Sequence, residues 1–215
     1  MGKNNQKAIW SSLFLAIILF NTLFALKEIG SFDFWWWLST NAALLSVLAL
    51  LLDRKYLERL KLDLSSGVTQ KVFFGLFSAL LLYAIFGVGN LISVWVFSDA
   101  AAYISSVYEL KLGTQLNRIV VLLALIIAPG EEIFWRGFIQ HSFEEKQGEF
   151  RAIFFTAFLY TLAHIASLNP MLLAAAFVCG IFWGFLYSWK KSVLLNVISH
   201  IAWDLAVFVC FPFYS

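Results

Sequence analysis

Eight residues in the C-terminal half of a 215-residue chain have the types and spacings to do chemistry: Glu131, Glu132, Arg136, Tyr160, His164, Asn196, His200 and Asp204. Glu132 and Arg136 stand at i, i+4 and pair on one helix face. Glu131 is turned about 100° around the same helix and is left to face elsewhere. Pro129-Gly130, immediately before the two glutamates, opens the helix to water or to a neighbouring backbone. Tyr160 and His164 share a face at the same spacing, and Asn196, His200 and Asp204 make a polar stripe on a later helix. The chemistry these types suit is activation of a water. A carboxylate in a poorly solvated cavity serves as general base or acid, and a neutral imidazole shares its proton. A second imidazole, oriented by Asp204, donates to a developing oxyanion. No Ser or Cys stands beside the cluster in a nucleophile motif. Zinc is the rival reading, since His164, His200 and Glu131 are adequate ligands. Against it, the chain has no His-Glu-x-x-His, and one helix supplies at most one of the two imidazoles. Spacing alone leaves both open.

The elements that must position these groups follow from composition. The chain is 61% hydrophobic and 13% charged, with a mean hydropathy of +0.83, whereas a soluble domain carries about 25% charged residues. That much apolar surface cannot be hidden in one soluble core. A soluble enzyme, a disordered chain and a disulfide scaffold are excluded, and a polytopic membrane protein remains. A net charge of +2 gives nucleic acid no electrostatic footprint. Cys179 and Cys210, both inside apolar runs, read as small buried hydrophobes.

Cutting at charged or turn-forming separators yields about seven spans, at 8–26, 34–52, 72–97, 119–140, 152–168, 171–189 and 192–211. A span must satisfy its own backbone, so the expected fold is an all-α membrane bundle. It forms one transmembrane domain over 1–215, with N-terminal helices and connectors in 1–118 and the catalytic helices in 119–211. The first span is too long for a signal-peptide core and is expected to remain as a helix. With the N-terminus cytoplasmic, eleven Lys and Arg fall on the inner side and three on the outer, the asymmetry that sets orientation. Trp35, Trp36 and Trp37 then stand at the outer headgroup level as an aromatic anchor. Leu57, Leu60 and Leu64 recur at helical spacing in the inner connector, and Tyr103, Ile104, Val107 and Tyr108 in the outer one. Both connectors read as interfacial helices, the outer one near a route for substrate.

A charge at the bilayer centre costs about 2.5–3.5 kcal/mol. Of thirteen acids, only Glu131, Glu132 and Asp204 fall well inside the spans, with Arg136, His164 and His200. Glu131, His164 and Asp204 each lie about 18 Å from the start of their spans, and His200 about 12 Å. Alternating helix directions bring these depths together near the midplane or its inner half, so one site is expected.

The stretch Ala128-Pro129-Gly130-Glu131-Glu132-Ile133-Phe134-Trp135-Arg136-Gly137 resembles the first motif, Glu-Glu-x-x-x-Arg, of the CPBP family. These are the CAAX protease and bacteriocin-processing (Abi) membrane proteins. Their second and third motifs, Phe-x-x-x-His and His-x-x-x-Asn/Asp, are matched in order by Tyr160 to His164 and by His200 to Asp204. Tyr160 departs from the usual Phe and adds a hydroxyl. The resemblance covers 128–204 and implies an intramembrane endopeptidase without a cofactor, of glutamate rather than zinc type. Carried over, Glu131 and His164 activate the water, His200 and Asp204 stabilise the oxyanion, and Glu132 and Arg136 support them. A membrane-anchored peptide or protein in the bilayer is the implied substrate, and a bacterial cytoplasmic membrane the implied location.

Two further function classes compete. A non-catalytic immunity or interaction protein of the same family would tolerate loss of Glu131 or His164. A proton-coupled transporter would show broken helices in both halves. Here only Pro129-Gly130 interrupts a helix near the charges, and the polar residues crowd the C-terminal half.

Overall fold

The computed structural model describes residues 3–213. Among these the regular structure is helical, apart from an isolated bridge between Ile29 and Phe32 in the first turn. In chain order the helices are α1 (Lys3–Leu26), α2 (Phe34–Leu52), α3 (Arg54–Ser65), α4 (Val68–Val96) and α5 (Ala100–Glu109). There follow α6 (116–147, continuous through two wide turns), α7 (Glu149–Leu162), α8 (Pro170–Lys190) and α9 (Val193–Leu205, with a π turn to Cys210). Among the described residues six segments are long and apolar enough to cross a membrane: within α1, α2 and α4, and over 149–167, α8 and 193–210. The seventh expected span, 119–140, lies inside α6, whose apolar run is interrupted by Glu131, Glu132 and Arg136.

Helix boundaries follow their capping residues. Asp33 accepts from the Trp35 and Trp36 amides at the start of α2, and Asp53 from the Tyr56 amide at the start of α3. Asn169 caps α8 ahead of Pro170, and Ser192 caps α9. Each side-chain oxygen satisfies a backbone N–H that a helix start leaves without a partner.

The helix carrying the glutamates departs from α geometry where the sequence demands it. Pro129 has no N–H to give, and its ring clashes with the carbonyl four residues back. The chain widens into π turns at Leu123–Ile127 and Ile133–Gln140, either side of Ala128–Glu132, and the Ala128 amide reaches back five residues to the Leu123 carbonyl. Gly130 lets α2 cross at this point: a β-carbon there would sit 2.8 Å from the Ala42 carbonyl oxygen. Since backbone cannot yield as a flexible side chain does, Gly130→Ala is expected to destabilise the fold by about 1–3 kcal/mol. Thermal unfolding in detergent, compared with Gly89→Ala, where a β-carbon meets nothing within 4 Å, checks this.

The second π turn is held by α3. Tyr56 is buried and its hydroxyl donates to the Ile133 carbonyl at 2.9 Å, passing over Gly137, where a β-carbon would lie 2.0 Å from that oxygen. Burial pushes the Tyr56 phenol well above the ordinary tyrosine range, so it remains a neutral donor. The Leu57–Leu60–Leu64 stripe divides between the protein and its surroundings. Leu60 is buried, but Leu57 and Leu64 are exposed, and Tyr56 is what docks the helix. Cys210 is likewise exposed rather than buried. Of the three tryptophans, Trp36 alone projects outward. Trp35 is buried and donates from Nε1 to the Leu110 carbonyl at 2.8 Å, and Trp37 packs inward as well.

Candidate active site

All eight residues singled out by type and spacing are buried, and Glu132 and Asn196 are completely so. They come from α6, α7 and α9, with His164 in the turn that follows α7. Five of them, Glu131, Tyr160, His164, His200 and Asp204, line one cavity of about 120 Å³. Glu132, Arg136 and Asn196 stand behind it and hold one of its walls.

That wall is an ion-pair network around Glu132. Arg136 Nη1 meets Oε1 at 3.1 Å, one helical turn away. His200 donates from Nδ1 to the same oxygen at 2.8 Å, and Asn196 Nδ2 donates to Oε2 at 3.2 Å. The guanidinium also lies over the rings of Tyr160 and Trp183, at 5.0 and 5.4 Å. A fully buried carboxylate needs this many partners, because desolvation otherwise outweighs its attraction to a single cation. The geometry adds a partner to one expectation. Asp204 Oδ2 lies 3.5 Å from His200 Nε2 on the cavity side, and Glu132 holds the other ring nitrogen. Trp183 of α8 stacks on the His200 ring at 3.8 Å and fixes its plane.

The opposite wall is built at a helix end. His164 lies just past the last regular turn of α7, which stops at Leu162, and its ring packs against that of Tyr160 at 4.8 Å, as the spacing predicts. Its Nδ1 turns back to the Tyr160 carbonyl at 2.8 Å, one of the last carbonyls of the helix and in need of a donor. A carbonyl only accepts, so Nδ1 carries the hydrogen and the lone pair of the neutral ring is on Nε2. Asn21 of α1 secures the break, donating to the Leu162 carbonyl at 3.1 Å and accepting from the Ala166 amide at 2.9 Å. Phe24, also from α1, packs on the imidazole at 4.8 Å.

Glu131 faces the cavity away from the Glu132 network, as its 100° offset predicts. The Tyr160 hydroxyl donates to Oε2 at 2.7 Å, leaving Oε1 for another donor. The extra hydroxyl at position 160 is thus a direct partner of the glutamate. Tyr160→Phe removes that hydrogen bond without emptying the ring's volume. It is expected to lower turnover about tenfold, the size of one charge-assisted hydrogen bond, with the unfolding midpoint unchanged.

Among the described residues no group of three His, Cys, Asp or Glu is arranged to hold a metal ion. His164, His200 and Glu131 line the same cavity, and each imidazole has its Nδ1 committed, to Tyr160 and to Glu132. Sequence reasoning missed Asn21, Phe24, Trp35 and Trp183. The first two lie on a helix with no motif, Trp35 reads as a membrane anchor, and Trp183 sits in a span without a charged residue. Gly180 and Gly184 were the available signal for Trp183. A β-carbon at Gly180 would lie 2.9 Å from Ala157, so the two glycines bring α8 close enough to α7 for its aromatic ring to reach the site.

Compared with known families, residues 114–206 match the model of the Rce1-like family, type II CAAX prenyl endopeptidases. That stretch covers α6 to α9 and all eight residues. No curated protein and no solved structure matches the chain.

Proposed function

From a C-terminal segment related to the CAAX-type membrane proteases, we propose that this multi-pass membrane protein is an intramembrane endopeptidase. Glu131 is its general base, and its substrate is a membrane-anchored peptide or protein of, by the same reading, a bacterial cytoplasmic membrane. The observation that carries the proposal is the division of labour between the two adjacent glutamates. Glu132 is consumed by Arg136, His200 and Asn196, while Glu131 keeps one carboxylate oxygen toward the cavity it shares with His164 and His200.

In this mechanism a water bound between Glu131 Oε1 and the Nε2 lone pair of His164 gives a proton to Glu131. Its oxygen attacks the carbonyl carbon of the scissile peptide bond. The tetrahedral oxyanion is met by His200, donating from Nε2 as the imidazolium that Glu132 and Asp204 flank. Collapse breaks the C–N bond, and the proton held by Glu131 passes to the leaving amine. Burial of the cavity strengthens each of these interactions relative to bulk water.

The test is cleavage of a membrane-anchored peptide library by the purified protein in detergent, with and without a chelator, alongside a measurement of bound zinc. Cleavage that survives chelation supports the glutamate mechanism. Stoichiometric zinc with chelator-sensitive cleavage would make His164 and His200 ligands and overturn the assigned roles. Peptide binding without cleavage would identify an interaction protein.

A further inference from the structure

A second, larger cavity of about 300 Å³ adjoins the active site, enclosed by α4, α5, α8 and α9. Val107, Leu172, Ala175, Trp203 and Phe208 line both, so the two spaces are separated only by shared side chains. The cavity falls within the size of small-ligand sites, which are apolar with a few placed polar groups. Its walls are apolar almost throughout, including Ile104 and Val107 from the amphipathic stripe of α5.

Two buried polar atoms of lining residues have no hydrogen-bond partner: the indole Nε1 of Trp203 and the side-chain Oδ1 of Asn90. Trp203 is only 7% exposed. Indole nitrogen donates and does not accept, while the amide oxygen accepts and does not donate. Each such group is destabilising when left unsatisfied in an apolar setting. A donor and an acceptor together complement one peptide group, which offers a C=O and an N–H. A lipid acyl chain offers neither and would leave both atoms unpaired. A helical segment also fails, because its backbone groups are already bonded to each other. An extended peptide offers both groups unbonded, beside an apolar side chain.

We infer that this cavity is a substrate subsite, holding an apolar residue of an extended peptide beside the scissile bond, with the adjoining peptide group bonded by Trp203 Nε1 and Asn90 Oδ1. The inference rests on the endopeptidase reading of the neighbouring site. The subsite selects by two criteria at once: an apolar side chain to fill the space, and a locally unwound backbone to satisfy the two polar atoms. Membrane segments that stay helical are thereby refused. Gly89 of α4 lines the cavity, and a β-carbon there meets nothing within 4 Å, so a larger residue at 89 fills the space without a backbone clash.

The test uses the full-length Glu131→Gln protein in phosphatidylcholine vesicles. The probes are leucine-rich membrane peptides, each with one diazirine-leucine next to a Gly-Pro pair that unwinds it. Photolabelling is expected at Ile85, Val178 or Val207. It should fall about tenfold when Gly89→Phe fills the cavity, and by a similar factor in Asn90→Leu and Trp203→Phe, which remove one hydrogen bond each. Labelling elsewhere, or labelling indifferent to Gly89→Phe, overturns the inference. So does a diazirine phosphatidylcholine that labels the same residues and is not displaced by the peptide. Cleavage of the same peptides by the unsubstituted protein is read separately. Capture in this cavity without cleavage keeps the subsite and defeats the endopeptidase reading, while cleavage without capture does the reverse.

Discussion

Replacing Glu131 by Gln is expected to lower the turnover of a membrane-anchored peptide by about 10²–10⁴, the contribution of a positioned general base, while leaving the fold intact. The reason lies in what the substitution keeps. Glutamine retains an oxygen that accepts from the Tyr160 hydroxyl, which now bonds Glu131 at 2.7 Å, and it fills the same volume in the same cavity. It cannot take a proton from water. Initial rates and the unfolding midpoint, measured on the same preparations, separate the two effects. A loss of activity accompanied by a large fall in midpoint would show that the carboxylate is structural, and activity within a few-fold of the original would move the base elsewhere. His164→Ala does not offer so clean a comparison, because it also removes the side chain that caps the end of α7 at the Tyr160 carbonyl.

Arg136→Met is expected to produce the largest loss of stability, about 3–5 kcal/mol, because it leaves a buried carboxylate without its cation. Arg136 is 1% exposed and Glu132 not at all, so no solvent takes the guanidinium's place. His200 Nδ1 and Asn196 Nδ2 remain as partners of Glu132, but the guanidinium is the only one of the three that is charged in every protonation state. The double substitution Glu132→Gln/Arg136→Met removes both charges and keeps an oxygen that accepts from His200. It is expected to be more stable than Arg136→Met alone. A double-mutant cycle on unfolding in detergent measures this coupling, and a coupling near zero would show that the pair does not act as a unit. Activity should fall in the double variant, since the Glu132 charge that sustains the His200 imidazolium is lost.

The two halves of the site were legible in the sequence to different degrees. The Glu132–Arg136 pair and the separate orientation of Glu131 both follow from residues on one continuous helical stretch, where three and four residues fix the angle between side chains. The contact between Pro129-Gly130 and a foreign backbone was anticipated as a type of event, and the structure shows Ala42 to be the partner. The hydrogen bond from His200 to Glu132 spans 68 positions. The spacing of His200 and Asp204 gives their contact one turn apart, but nothing in either local pattern shows that Glu132 will take the other ring nitrogen. His164 meets the Tyr160 ring at 4.8 Å, as their spacing predicts, but the end of α7 at Leu162 and its closure by Asn21 of α1 had no local signal.

What the sequence by itself determined is the solvent of the protein, its helical class and the set of groups that must meet. Apolar runs long enough to cross a bilayer have to satisfy their own backbone, and embedded charges are tolerated only in company. Both are rules about single segments or single residues. The tertiary structure decided who partners whom. It gave Glu132 to His200, turned Trp35 and Trp183 inward, brought the motif-free helix α1 against His164, and opened an apolar space behind Trp203. These outcomes depend on the crossing of helices at Gly130, Gly137 and Gly180, where the absence of a β-carbon lets a neighbour approach. Helical periodicity says which face a residue occupies, and only the packing of one helix on another says what that face meets.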